Sequence, residues 1–477
     1  MALISISSIN VALPTIESGL GATASQVQWL LAGYALTFGI VLVPAGRIGD
    51  VLGRGTVWMV GLAVFTLASV ACGLAPNAHF LNLFRLIQGI GAGISNPQST
   101  GMIQQYFSGV GRAKAYALFG MVVSASVAIG PVISGFVIQL VGPRNGWRAS
   151  FLWVAPLGVI GLILAAVWFP FEKERERAWR RAVSRAETTG RHPEHQGKLD
   201  LDPVGMALLM ISVLCIMLPF GSHSNPLMWL LLPTGLVMSR VWVRWEKHYY
   251  SQGNQPMVDL RLFHYSAFAY GTATSATMFL GSATIFASLA MYLQQGLGLG
   301  AFQSGLFTLP DAICSALASA WVANRSLKKG RPIIITSLAM ICAALGVVIG
   351  LSWLINDGLI TPYWIMSPIG FVGLGQGAIG SANQTLAMQQ IPAAEGGTAG
   401  GIKQTSERVT VAMGNTITTT ILFSLSAYGW HVGITGAYGG IIAFMAVSLV
   451  IAILDFRKHG AGALITAGGH AHDTKRS

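Results

Sequence analysis

The stretch "QSGLFTLPDAICSALASAWVA", residues 303–323, holds one carboxylate, Asp311, among residues otherwise suited to a lipid interior. Two more charges stand in similar surroundings, Arg85 in "LFRLIQGIGAG" and Glu407 in "KQTSERVTVAMGN". Ionisable groups inside apolar runs are costly and by default mark function. A carboxylate so placed can exchange a proton or attract a cation, and a fixed guanidinium nearby can tune that exchange. Each has a plainer reading: a hydrogen bond to a neighbouring helix for Asp311, snorkelling to the outer interface for Arg85, and an ion pair with Lys403, four residues earlier, for Glu407. A different kind of site is "GRIGDVLGR", Gly46 to Arg54. Its glycines permit a tight turn, and Asp50 and Arg54 can pair with each other and with nearby helix ends. Such a pair can latch one conformation and release another.

These residues need elements to hold them. Hydrophobic residues make up 53% of the 477 and charged residues 10%, with mean hydropathy +0.60. Soluble domains carry about 25% charged residues, so this is a membrane chain. Spanning helices of about 20 apolar residues are predicted at 1–16, 28–46, 56–75, 80–105, 113–140, 149–170, 203–221, 226–244, 265–294, 304–324, 332–355, 363–390, 398–427 and 433–456. The first is too short to span. Asp311 is expected about 10 Å below the outer end of the tenth, with Pro310 freeing a backbone carbonyl one turn earlier. With both termini cytoplasmic, all of the 29 Lys and Arg but Arg85, Arg144 and Arg148 fall inside. The net charge of +12 is then the positive-inside bias, met by anionic lipid headgroups rather than nucleic acid.

A repeat organises the helices. "GIGAG" at Gly89–Gly93 recurs as "GLGQG" at Gly373–Gly377, and "AIG" at Ala128–Gly130 recurs as "AMG" at Ala412–Gly414, with the same spacing between the members of each pair. The chain therefore reads as all-α with fourteen transmembrane helices. Two pseudo-symmetric six-helix bundles, 1–170 and 265–456, flank inserted helices at 203–245. A basic cytoplasmic linker (171–202), a cytoplasmic loop (246–264) and a cytoplasmic tail (457–477) complete it, the linker expected to lie partly helical on the membrane surface. Duplicated halves of this kind place a transport site between them, near the midplane.

Other chemistry is poorly served. There is no G-x-x-x-x-G-K-[ST] loop and no G-x-S-x-G elbow, which speaks against ATP-driven pumping and hydrolysis. The four cysteines lack metal spacing, "HPEH" in the linker is weak as a metal site, and all ten histidines avoid span interiors. No enzyme activity, cofactor or metal is expected.

"SVAIGPVISG" places Gly130, Pro131 and Gly135 in the fifth helix, which can bend there and pack closely. Together with "GRIGDVLGR" and "RLIQGIGAG" it resembles the major facilitator superfamily. "INVALP", "WRASF", "LDPVGMALL", "VDLRLF" and "YLQQGLG" narrow the resemblance to its fourteen-helix drug:proton antiporters. That resemblance implies a monomeric exporter in a bacterial cytoplasmic membrane, exchanging lipophilic, often cationic, compounds for protons. A transporter of the same fold for an endogenous lipid, siderophore or metabolite is the alternative. The sequence departs from the group in two places. Ser5 stands where the group usually has an Asp in the first helix, and Glu407 stands where relatives commonly have Arg. With Ser5 there, Asp311 becomes the leading proton-coupling residue, and relatives that expel divalent cations resemble it in carrying an acid in the tenth helix. Glu407 and Arg85 are the next cavity candidates, and Asp50, Arg54, Gly46, Gly130, Pro131 and Gly135 the gating set.

Overall fold

The computed structural model describes residues 1–142, 145–169, 201–221, 226–252, 254 and 256–461. Arg144, the linker over 170–200 with its "HPEH", and the tail from 462 lie outside them. The described residues form helices and no strand. In order these are α1 (Ala2–Leu20), α2 (Ala24–Leu52), α3 (Arg54–Gly73), α4 (Ala78–Tyr106), α5 (Gly109–Val141), α6 (Gly146–Leu152), α7 (Val154–Trp168), α8 (Pro203–Gly221) and α9 (Leu231–Ser251). Then follow α10 (Ser266–Met291), α11 (Ala301–Leu306), α12 (Leu309–Val322), α13 (Ser326–Asn356), α14 (Met366–Ala387), α15 (Gly396–Ser426) and α16 (Trp430–His459).

A helix stands at every predicted span, and ten are long and apolar enough to cross a membrane. The predicted spans that fall outside those ten are α1, α4, α9 and α14. Polar residues explain the gap: α4 carries Arg85, Gln88, Gln98 and Gln104, and α9 carries Arg240, Arg244, Glu246 and Lys247. Helix α1 is longer than its apolar run, because "ESGL" continues the helix until Gly21 ends it at φ 59°. Its 19 residues reach about 28 Å, so the expected shortfall is small.

The repeat is visible in packing. Gly89 and Gly93 of α4 bring its backbone against Tyr34 and Phe38 of α2, and Gly373 and Gly377 of α14 meet the backbone of Asp311 and Ser315 on α12. Likewise Gly130 of α5 sits against Ser7 of α1, and Gly414 of α15 against Leu280 of α10. Glycines do this because a missing Cβ lets helix backbones touch where lipid gives no hydrophobic drive. The core is split accordingly. One cluster runs from Met278 to Ala452, and separate ones around Leu81 and Trp147 and around Tyr34 and Phe38 belong to the N-terminal helices. Helix α8 joins both sides: Val213 and Met217 pack with Leu36 of α2, and Thr416 of α15 donates to the Phe220 carbonyl at 2.8 Å.

Candidate functional site

Asp311 lies just after a break. Helix α11 ends at Leu306 and α12 begins at Leu309, so Asp311 stands in the first turn of a new helix instead of about two turns inside a continuous one. Pro310 accounts for this. In a helix interior it would remove a hydrogen bond, but in a first turn its missing N–H costs nothing. The carboxylate is half-buried, and its Oδ1 is sealed from the surface with no hydrogen-bond partner. Among the described residues no cation pairs with it. By the packing of the repeats, Asp311 on α12 occupies the place that Tyr34 has on α2.

Arg85 is 1% exposed, so it does not reach the outer interface. Its Nη1 donates to Ser5 Oγ at 3.0 Å and Gln88 Oε1 at 2.6 Å, and its Nε to the Leu30 carbonyl at 3.1 Å. Gln88 in turn donates to Ser69 Oγ at 2.7 Å. The guanidinium lies 4.2 Å from the centre of the Tyr34 ring. The carboxylate it was expected to tune is not beside it: these three acceptors are neutral, and Ser5 stands where an Asp would have met it. Tyr34 packs on Phe38 with ring centres 6.0 Å apart, and Arg408 lies 4.7 Å from the Phe38 ring centre. Glu407, the neighbour of Arg408, takes the plainer arrangement, a buried ion pair with Lys403 at 2.6 Å.

At the arginine-rich end, which the charge bias assigns to the cytoplasm, the two sets of helices are closed on each other. Asp50 accepts from the backbone N–H of Gly397 at 3.0 Å and of Thr398 at 2.8 Å, and from Thr398 Oγ1 at 2.9 Å. These are the first-turn donors of α15, left without partners in their own helix and carrying its positive dipole end. Arg54 pairs with Asp50 at 2.6 Å and reaches across to the Ala393 carbonyl at 2.6 Å. Gln104 donates to the carbonyls of Met388 and Ile391, both at 2.7 Å. Gly46 lets α2 come against the Gly397 carbonyl.

The fifth-helix set divides. Gly130 makes a close approach to α1, Gly135 meets Val11 only at ordinary contact distance, and Pro131 sits in α5 without breaking it. Sequence reasoning missed "GGTAGG" in α15. Gly396, Gly397, Gly400 and Gly401 face Gln104, Asp50, Thr100 and Leu42 in turn. Their i, i+1, i+4, i+5 spacing is the signal that could have found them. It also missed Tyr34, Phe38 and Gln104, which look like ordinary core or loop-end residues in sequence.

The Major Facilitator Superfamily model matches residues 1–415. A probable actinorhodin transporter of Streptomyces coelicolor is 28% identical over 423 residues, 87% of this chain and 69% of that one. A multidrug resistance protein B homolog of Mycobacterium tuberculosis is 28% identical over 90% of this chain and 75% of its own length. The methylenomycin A resistance protein of Streptomyces coelicolor is 28% identical over 94% and 87%. Among solved structures, a human organic anion transporter superposes with TM-score 0.64 at 14% identity, covering 94% of this chain and 96% of that one. A proton:xylose symporter superposes at 0.63 and 14%, covering 96% and 93%. These two likenesses carry the fold alone.

Proposed function

Since the chain belongs to the major facilitator superfamily, we propose that it is a proton-coupled exporter of lipophilic small molecules in which Asp311 binds and releases the coupling proton. It is a multi-pass membrane transporter and not an enzyme. The exporter reading draws on relatives named for drug and antibiotic resistance. The observation that carries the coupling role is the carboxylate oxygen of Asp311, buried without a hydrogen bond. Buried polar atoms are nearly always satisfied, and an ionised carboxylate whose buried oxygen accepts no hydrogen bond is costly. A proton on Asp311 removes that cost, so protonation and the packing of α12 on α14 are linked. The helix break beside it gives the element freedom to respond.

The cycle follows from alternating access. With Asp50 capping α15, the basic end is closed. Breaking that cap opens the same path to the other side, with Asp311 trading its proton between the two. The setting is a bacterial cytoplasmic membrane with both termini inside. Expression in an exporter-deficient strain tests this reading. The chain should raise the tolerated dose of several compounds in a panel of lipophilic dyes and antibiotics. An uncoupler and Asp311→Asn should each remove the gain at equal membrane abundance. Unchanged protection by Asp311→Asn would assign the proton elsewhere.

A further inference from the structure

Two sequence motifs meet at the basic end. "LDPVGMALL" opens α8 with Asp202, and "VDLRLF", 258–263, leads into α10. Asp202 is 0% exposed and adopts φ 46°, a left-handed conformation that Asp and Asn tolerate better than most side chains. Its Oδ1 accepts from the Gly205 N–H at 2.9 Å, capping α8, and from Trp245 Nε1 at 2.9 Å, tying α8 to α9. Its Oδ2 accepts from the Met257 N–H at 3.4 Å. Glu246 of α9 is equally buried, with Oε1 accepting from Trp242 Nε1 at 2.8 Å and Oε2 from the Val258 N–H at 3.5 Å. Two buried carboxyl groups of the inserted helices thus hold the N–H groups of consecutive residues. Burying acidic groups is costly, and a plain connection between α9 and α10 does not require it.

What the held segment touches gives it a use. Met257 and Val258 lie in one buried cluster with Val43 of α2, bordered by Ile402 of α15. Leu262 lies in another with Tyr116 of α5 and with Ile391 and Ala399. Val43 and Tyr116 belong to the N-terminal helices. Ile391, Ala399 and Ile402 belong to the opposite side of the closure that Asp50 and Gln104 tie. One short segment is therefore buried against both sides of the seam, which cannot part while the segment stays seated on both. Helix α8 runs along the same seam, with Val213 and Met217 packed with Leu36 of α2 and Val409 of α15. We infer that the inserted pair α8–α9 is a gate element: it holds residues 257–262 as a strap over the basic-end closure, with Asp202 and Glu246 as positioning residues, and the strap must lift before that end opens. The inference rests on the alternating access of the proposed function and needs neither its cargo nor its proton.

Asp202→Asn isolates the anchor. Asparagine also tolerates the left-handed backbone, and its one oxygen can keep Gly205 and Trp245. Its amide then faces the Met257 N–H, donor against donor, and that bond is lost. A hydrogen bond to a charged acceptor weighs about tenfold or more in such an equilibrium. The test is labelling of the full chain, stripped of its four cysteines, by an impermeant maleimide at the cytoplasmic face of inside-out vesicles. The reporters, used singly, are Val258→Cys in the strap, Thr100→Cys in the closure and Leu345→Cys in the C-terminal core, all at positions no more than 1% exposed. Asp202→Asn should speed labelling of Val258→Cys and Thr100→Cys at least about tenfold and leave Leu345→Cys slow. Leu262→Ala, which keeps both anchors and removes the strap's contact in the Tyr116 cluster, should speed Thr100→Cys as well. Faster labelling of Val258→Cys with Thr100→Cys unchanged overturns the proposal, since the strap would then cover the gate without holding it. Unchanged rates at both overturn it too. If Leu345→Cys also speeds up, Asp202→Asn has loosened the whole chain, and Leu262→Ala decides through the same Thr100→Cys rate. No cargo or proton gradient enters the measurement, so the strap can fail while export stands, and export can fail while the strap stands.

Discussion

Asp50→Asn should tilt the protein away from closure at the basic end. The Asp50–Arg54 pair joins residues four apart on one side of the closure, so it is present whether the end is open or closed and cancels in the comparison. What differs is the set of bonds made across the closure: two backbone N–H groups and one hydroxyl donating to Asp50, with Arg54 donating to the Ala393 carbonyl. Hydrogen bonds to a charged group are worth about 1.5–3 kcal/mol and neutral ones about 0.5–1.5. Asparagine caps helices nearly as well as aspartate, so the bonds persist in weakened form. Downgrading two backbone bonds by about 1 kcal/mol each shifts the equilibrium by about 2 kcal/mol, roughly thirtyfold. Thr100 reads this out. It is 1% exposed and packed under Gly400 in the closure. In a chain stripped of its four cysteines, Thr100→Cys should react slowly with a membrane-impermeant thiol reagent applied from the cytoplasmic side. Adding Asp50→Asn should raise that rate at least tenfold and slow turnover. An unchanged rate would refute the latch.

Glu407→Gln strands Lys403 in a buried site and should lower stability by about 3–5 kcal/mol, seen as a fall in the thermal unfolding midpoint, whereas a paired Lys403→Met/Glu407→Met change should recover most of it. Gly373→Ala puts a methyl group against the Asp311 carbonyl and should cost about 1–3 kcal/mol and most transport, while Gly346→Ala, which meets open space, should be tolerated in the same efflux assay. Gln104→Ala breaks two bonds to the 388–391 turn and should also speed labelling at Thr100→Cys, by less than Asp50→Asn because the lost bonds are neutral.

Much of this architecture is written in patterns a sequence displays openly. Apolar runs of spanning length marked the helices, and the paired glycine motifs marked the repeat, because close helix contact in lipid requires small residues at fixed spacing. "GRIGDVLGR" marked the charged pair Asp50 and Arg54, which the fold ties to the first turn of α15 and to the Ala393 carbonyl. The break before Asp311 was harder to read. Pro310 was visible, but whether it kinks a helix or begins one depends on how Phe307 and Thr308 pack. Partners were harder still. Lys403 or a cavity were both open to Glu407, and helix geometry alone does not choose between them. The tie between Asp50 and Thr398 joins residues 348 apart and rests on how the two halves meet. The Tyr34–Phe38 pair looked like core and is core, with two arginines lying on its rings.

If Asp311 is the seat of the coupling proton, driven transport and simple exchange should separate when its charge is removed. Wild-type chain and Asp311→Asn would be reconstituted in proteoliposomes holding a fluorescent substrate identified in the dye panel. Proton-gradient-driven accumulation and gradient-free substrate counterflow would be measured on the same preparations. Asp311→Asn should lose driven accumulation and keep counterflow near the wild-type rate, since the path remains and only the proton's seat is gone. Driven accumulation that survives in Asp311→Asn would contradict the account.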